Sequence, residues 1–182
     1  MENVLGNYNN FVVIEKDGKE GIRVLFDNVV IMPFVRDEKG LPLMIGVIEE
    51  LNPFREGGKT ISLITGTKDP EDTDYLKTAI RELKEEGGYE VTDPQRWFYM
   101  GNVYSSKLVD HEQPCFAVDI TGISQGEILG DGTPEEADQK FSLIPANDVV
   151  KMKDVFIPAL FLKLFKYVLG IDLQSDSKKD NK

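Results

Sequence analysis

The sequence predicts an α/β domain built on a mixed sheet. Two observations carry that expectation. Short apolar runs alternate with turn residues from position 11 onward, as strands and hairpins do. Residues 76–83 instead repeat apolar side chains at i, i+3, i+4 and i+7, the spacing of a helix with one buried stripe, and a second apolar run at 155–169 reads as another helix. The chain has 182 residues, enough to bury one substantial core. A single domain over 1–173 is expected, with a polar, disordered tail at 174–182.

The elements follow in order. The start, MENVLGNYNN, is polar and lacks a signal peptide's apolar segment. Residues 11–14 form a short strand, followed by the turn Lys16-Asp17-Gly18-Lys19. Residues 22–26 read as the next strand. The run 29–35 is continuously apolar, which suits a strand buried on both faces. Asp37-Glu38-Lys39-Gly40 turns the chain, and 43–48 answers it. Asn52-Pro53 and Gly57-Gly58 make 52–58 a loop. Residues 60–64 are read as one strand delivering the chain to Gly66. Beyond the first helix, strands are expected at 97–103, 115–120 and 141–145, with a polar loop at 104–112.

Net charge is −11, so no generic nucleic-acid or anionic-membrane surface is indicated. The single cysteine excludes an internal disulfide and fits a reducing, cytoplasmic setting. The helix at 155–169 is too short for a membrane span and carries Lys163 and Lys166. Val155, Ala159, Leu162, Phe165 and Leu169 can all face inward, and the breadth of the apolar surface leaves room for a homodimer contact.

The stretch 66–89, GTKDPEDTDYLKTAIRELKEEGGY, is where chemistry concentrates. Leu76, Ala79, Ile80 and Leu83 form the apolar stripe. Glu82, Glu85 and Glu86 fall at i, i+3 and i+4 on a face expected to point away from it. Like charges at that spacing repel by roughly 0.2–0.5 kcal/mol per exposed pair. They also crowd the helix end where the dipole is already negative. A hard divalent cation removes both costs, since Mg²⁺ takes oxygen ligands; Mn²⁺ is the alternative. Asp69 or Thr73 is the expected N-cap, with Pro70 in the first turn. Gly87-Gly88 stops the helix. Gly66 serves either a turn needing positive φ or a close approach to metal through its carbonyl.

Arg81-Glu82-Leu83-Lys84-Glu85-Glu86-Gly87-Gly88-Tyr89 resembles the signature of the Nudix hydrolases, G-x5-E-x7-R-E-U-x-E-E-x-G-U, with U a bulky apolar residue. The second half matches at each defined position. In the first half, counting from Gly66 puts Asp72 at the first acid, whereas counting back from Arg81 puts Thr73 there. The loop is thus one residue longer than the family's. The resemblance implies an α/β/α sandwich and Mg²⁺-dependent hydrolysis of the pyrophosphate bond in a nucleoside diphosphate linked to another group. It implies metal ligation by Glu82, Glu85, Glu86 and a carbonyl at or before Gly66. Arg81 would brace a signature glutamate. The substrate would be a small nucleotide, such as ADP-ribose, a dinucleotide or a nucleoside triphosphate. The alternative is a Nudix-fold nucleotide sensor without turnover; the three retained acids argue for an enzyme.

Other residues carry two readings. In the branch resembling ADP-ribose pyrophosphatases, a loop glutamate serves as base or extra ligand. Glu136, with Glu135 beside it, fits that placing in the acidic stretch 126–140, whose plain reading is a solvated connector. The catalytic base is therefore Glu85 or Glu136. That branch also carries Glu-Leu-Pro-Ala-Gly before the signature; here Ser62-Leu63-Ile64-Thr65-Gly66 lacks the Glu. His111, the sole histidine, reads as a loop residue, with proton shuttling the minority view. Cys115 reads as a small core hydrophobe. Trp97, Phe98 and Tyr99 read as core, with stacking on a base as the alternative. Arg55, Lys59 and Lys68 read as solvated, although they could screen substrate charge.

Overall fold

The computed structural model describes residues 2–130 and 139–170. Two sheets organise the chain. The first is antiparallel over β1 (Glu2–Asn7), β2 (Phe11–Lys16) and β3 (Lys19–Val24), and the short β9 (Val109–Asp110) adds parallel to β3. β1 lies in the stretch read from sequence as a polar start.

The second sheet has seven strands, ordered β11 (Lys140–Pro145), β5 (Pro42–Leu51), β4 (Asn28–Arg36), β10 (Glu112–Asp119) and β8 (Trp97–Tyr104), with two short strands branching from it. β10 runs parallel to β4 and the other pairings are antiparallel, so the sheet is mixed as expected. β4 and β5 pair only near the turn that joins them. Further along they diverge, and two short strands enter the fork. β6 (Lys59–Ser62) pairs with β5, and β7 (Ile64–Thr67) pairs with β4. The single strand expected at 60–64 is thus two, broken at the buried Leu63. The break carries the chain across the fork and sets Gly66 opposite Val29.

Alternation along β4 separates two cores. Val30, Met32 and Phe34 point to one face, where Ile157, Leu160 and Leu164 of α2 (Phe156–Leu169) pack. Val29 and Ile31 point to the other, against Ala79 and Leu83 of α1 (Tyr75–Gly87). One helix on each face makes an α/β/α arrangement, and both faces of β4 are buried, as its uninterrupted apolar run implies. Each fully buried Leu or Ile here contributes about 1.5–3 kcal/mol.

The face of α2 differs from the expected one. Val155 and Leu162 are 52% and 73% exposed. The buried stripe is Ile157, Leu160 and Leu164, rotated from the predicted set. The helix is apolar on most of its circumference, so spacing alone does not choose its inner face. Among the described residues, no helix is long and apolar enough to cross a membrane. Residues 174–182, and Glu135 and Glu136, lie outside the described residues, as does the side chain of Leu169.

Candidate active site

The site forms where α1 crosses β7. The helix starts later than the sequence suggested. Asp74 is the N-cap, its carboxylate accepting from Lys77 N–H at 3.0 Å. Asp69 and Thr73 do not cap it. Residues 69–72 instead close a turn, with Asp72 N–H donating to the Asp69 carbonyl at 3.0 Å. At the far end Gly88 adopts φ 73°, and Tyr89 N–H reaches back to the Leu83 carbonyl, the glycine-terminated stop expected from Gly87-Gly88.

The acids do not all face away from the apolar stripe. Thr78, Ala79, Glu82, Leu83, Glu86 and Gly87 form one buried face, while Leu76 and Ile80 only flank it. Glu82 and Glu86 are 8% and 6% exposed. Their burial has a counterpart on β7. Gly66 is an ordinary strand residue without positive φ, so the turn explanation for it fails. A Cβ at that position would stand 2.0 Å from Cγ and Cδ of Glu82. Gly66 is glycine because the Glu82 side chain occupies the space a larger residue would need.

Arg81 ties the helix to the loop before it. Nη1 donates to Glu82 Oε1 at 2.8 Å and to Glu85 Oε2 at 3.0 Å. Nη2 donates to the Thr67 carbonyl at 2.8 Å and to Asp72 Oδ2 at 3.1 Å. Asp69 Oδ2 lies 3.5 Å from the same nitrogen. Nε is buried with no hydrogen-bond partner among the described residues. Burial works against the guanidinium charge, yet the surrounding carboxylates raise its pKa above the ordinary value. The same pairing governs Asp72. Burial pushes its carboxyl up, but hydrogen bonds from Arg81 and the Asp69 N–H outweigh burial and hold it below the usual range.

A groove of about 400 Å³ opens beside these residues, lined by Phe26, Asn28, Gly66, Arg81, Glu82 and Glu86 among others. The structure thus brings Gly66, Arg81, Glu82 and Glu86 to one groove. Glu85 does not line it and is tied to it only through its hydrogen bond with Arg81. Among the described residues, no three His, Cys, Asp or Glu side chains converge as a ready-made metal cage. Arg81 takes one oxygen of Glu82 and one of Glu85. The donor chemistry still suits a hard cation, with buried carboxylates set against a strand whose glycine leaves room for them.

Nothing in their local sequence marks Phe26 or Asn28 as groove residues. Asn28 begins β4, opposite Thr67, and its Oδ1 accepts from Gln113 Nε2 at 3.1 Å. Only the pairing of β4 with β7 brings it to Gly66. Of the three aromatics at 97–99, Trp97 is buried against Phe116 and Phe98 packs near Phe34, whereas Tyr99 is exposed and lines a second cavity. His111 lines that cavity too. Cys115 is buried, and burial pushes its thiol up to about 12, which removes it as a nucleophile.

No protein-family model matches the chain, and no curated protein does. The fold is similar to that in the crystal structure of an ADP compounds hydrolase. The TM-score is 0.65 and the identity 15%, over 93% of this chain and 92% of that one.

Proposed function

We propose that this protein is a Nudix-type, Mg²⁺-dependent hydrolase that cleaves the pyrophosphate bond of a nucleoside diphosphate linked to another group. The observation that carries the reading is the pairing of Gly66 with Glu82. It sets a buried carboxylate at the groove edge next to Arg81, where the signature residues meet. The likeness in fold to an ADP compounds hydrolase agrees with it.

Glu82, Glu85, Glu86 and a carbonyl near Gly66 would hold the cation. Bound there, Mg²⁺ would supply charge neutralisation of phosphate oxygens and lower the pKa of a water. Arg81 fixes the rotamers of Glu82 and Glu85, so both carboxylates are oriented before substrate arrives. Glu85, partly exposed, is the described candidate for accepting the water's proton as it attacks phosphorus. Glu136 is the other candidate for that role. The diphosphate would lie along the groove, and a nucleoside monophosphate would leave.

The second reading is a sensor without turnover. It draws on the guanidinium shared between Glu82 and Glu85 and on the longer loop at 69–72. Incubation with Mg²⁺ and a panel of nucleoside diphosphate derivatives separates the two. Release of nucleoside monophosphate is expected, falling by about 10²-fold or more in Glu85→Gln or Glu86→Gln. Tight binding with no product from any compound selects the sensor, and unchanged turnover in both variants overturns the mechanism.

A further inference from the structure

A cavity of about 830 Å³ lies apart from the groove and shares no lining residue with it. One wall is the β2–β3 hairpin. The other is the connection from Tyr104 to Val109, between β8 and β9. That connection is held in place. Ile22 N–H donates to the Leu108 carbonyl at 2.8 Å, and Val109 N–H donates to the Ser106 carbonyl at 3.2 Å. Leu108 N–H donates to Ser106 Oγ at 3.2 Å. A Cβ on Gly21 would stand 3.0 Å from the Leu108 carbonyl oxygen, so a glycine there admits the close crossing. The lining is apolar at Ile14, which is buried, and at Tyr104 and Leu108, which are exposed.

Charge is segregated on the hairpin. Lys16 pairs across it with Lys19, and the next pair is Glu15 with Glu20. Alternation puts the two lysines on one face of the sheet, with Ile14 and Gly21, and the two glutamates on the other. Like charges directly opposite each other destabilise a strand pair, so folding alone gives no reason for either. Lys107 brings a third ammonium to the same cavity. Lys19 and Lys107 make no hydrogen bond or ion pair among the described residues. Lys16 is attracted by Glu2, but both oxygens of that carboxylate are already held by Arg23, at 2.7 and 2.9 Å. Three acids also line the cavity. Asp110 is bound by Arg23 at 2.6 Å, Glu20 belongs to the opposite face, and Asp17 lies in the turn. Three ammonium groups thus gather round an apolar space in a chain of net charge −11.

We infer that this cavity is a separate ligand site, for a small organic anion with an apolar body. Lys16, Lys19 and Lys107 bind the anionic group, a phosphate or a carboxylate. Ile14, Tyr104 and Leu108 take the body. The bound anion offsets the Lys16–Lys19 repulsion, which accounts for a pairing that costs the hairpin stability. The volume falls in the range of small-molecule sites. The site needs no metal and does not rest on the hydrolase reading.

The test titrates phenyl phosphate, benzoate, inorganic phosphate and benzyl alcohol into the full chain without metal, followed by NMR. Phenyl phosphate is expected to bind tighter than inorganic phosphate by on the order of tenfold, because its ring adds apolar burial. Benzoate, with less charge, should bind more weakly than phenyl phosphate, and benzyl alcohol should not bind measurably. The methyl resonances of Ile14 and Leu108 should shift with phenyl phosphate. Changing Lys16→Gln, Lys19→Gln and Lys107→Gln together should weaken phenyl phosphate by about tenfold or more, whereas the three Lys→Arg changes should keep it within about threefold. Thermal melts check that both variants fold. Phenyl phosphate binding no tighter than inorganic phosphate, or unchanged in the Gln variant, overturns the inference. Shifts confined to groove residues, with Ile14 and Leu108 unmoved, overturn it too.

Discussion

Gly66→Ala tests the packing on which the site depends. The added Cβ would lie 2.0 Å from Glu82 Cγ and Cδ and 2.2 Å from Oε1. Carbon atoms pack at about 3.5–4.0 Å, so the Glu82 side chain must retreat by roughly 1.5–2 Å. Glu82 is 8% exposed and bonded to Arg81 at 2.8 Å, so retreat strains the rotamer and lengthens that bond. Overpacking of this kind costs about 1–3 kcal/mol. For a chain of this size each kcal/mol lowers Tm by about 2–4 °C. Urea titration of four proteins measures the coupling: wild type, Gly66→Ala, Glu82→Ala and the double variant. With Glu82 cut back to Ala, the three atoms nearest the added Cβ are gone, and the Gly66 substitution is expected to cost less than about 0.5 kcal/mol. Hydrolysis should fall with Gly66→Ala alone, since the displaced carboxylate is a proposed ligand. An equal cost in both backgrounds would refute the reasoning, because Gly66 would then be required for its backbone and not for the space it leaves.

Two further outcomes follow from the geometry. Asp119 accepts from Arg36 Nε at 2.6 Å and from Thr121 N–H at 3.0 Å. Burial raises its carboxyl, but the Thr121 and Arg36 hydrogen bonds outweigh burial and hold it below the ordinary value, as Arg81 does for Asp72. A depressed folded-state value means stability fully present above the unfolded carboxyl's pKa of about 3.9 and lost as pH falls below it. The urea midpoint should therefore hold between about pH 7 and 5 and drop below about pH 4, less steeply in Asp119→Asn. Asp74→Ala removes the cap on α1 and should cost about 1 kcal/mol in thermal melts, whereas Thr73→Ala should cost a few tenths, since Thr73 does not cap.

Much of the frame was legible because it depends on local chemistry. The β4 run, the Asp37–Gly40 turn, the glycine stop after α1 and the strand at 141–145 each follow from residues within a few positions of one another. The N-cap, expected at Asp69 or Thr73 and found at Asp74, is a local misreading; the others involve contacts between segments distant in sequence. Spacing on α1 grouped Leu76 and Ile80 with the buried side and turned the acids outward. The structure buries Glu82 and Glu86 because β7 passes beneath them with a glycine at the crossing. The break at Leu63 and the choice of face on α2 likewise depend on which surface the fork and the sheet present. Sequence did contain one trace of the crossing. Gly66 stands between Thr65 and Thr67 with none of the Pro, Asn or Asp that usually accompany a turn. A glycine in a strand with no turn to make is there to admit another group. In this chain that group is a carboxylate on α1, which ties the local rule broken at 66 to the one broken at Glu82. An acid and a glycine that each look misplaced alone are explained by a single contact, and sites that act on substrates are where such paired exceptions gather.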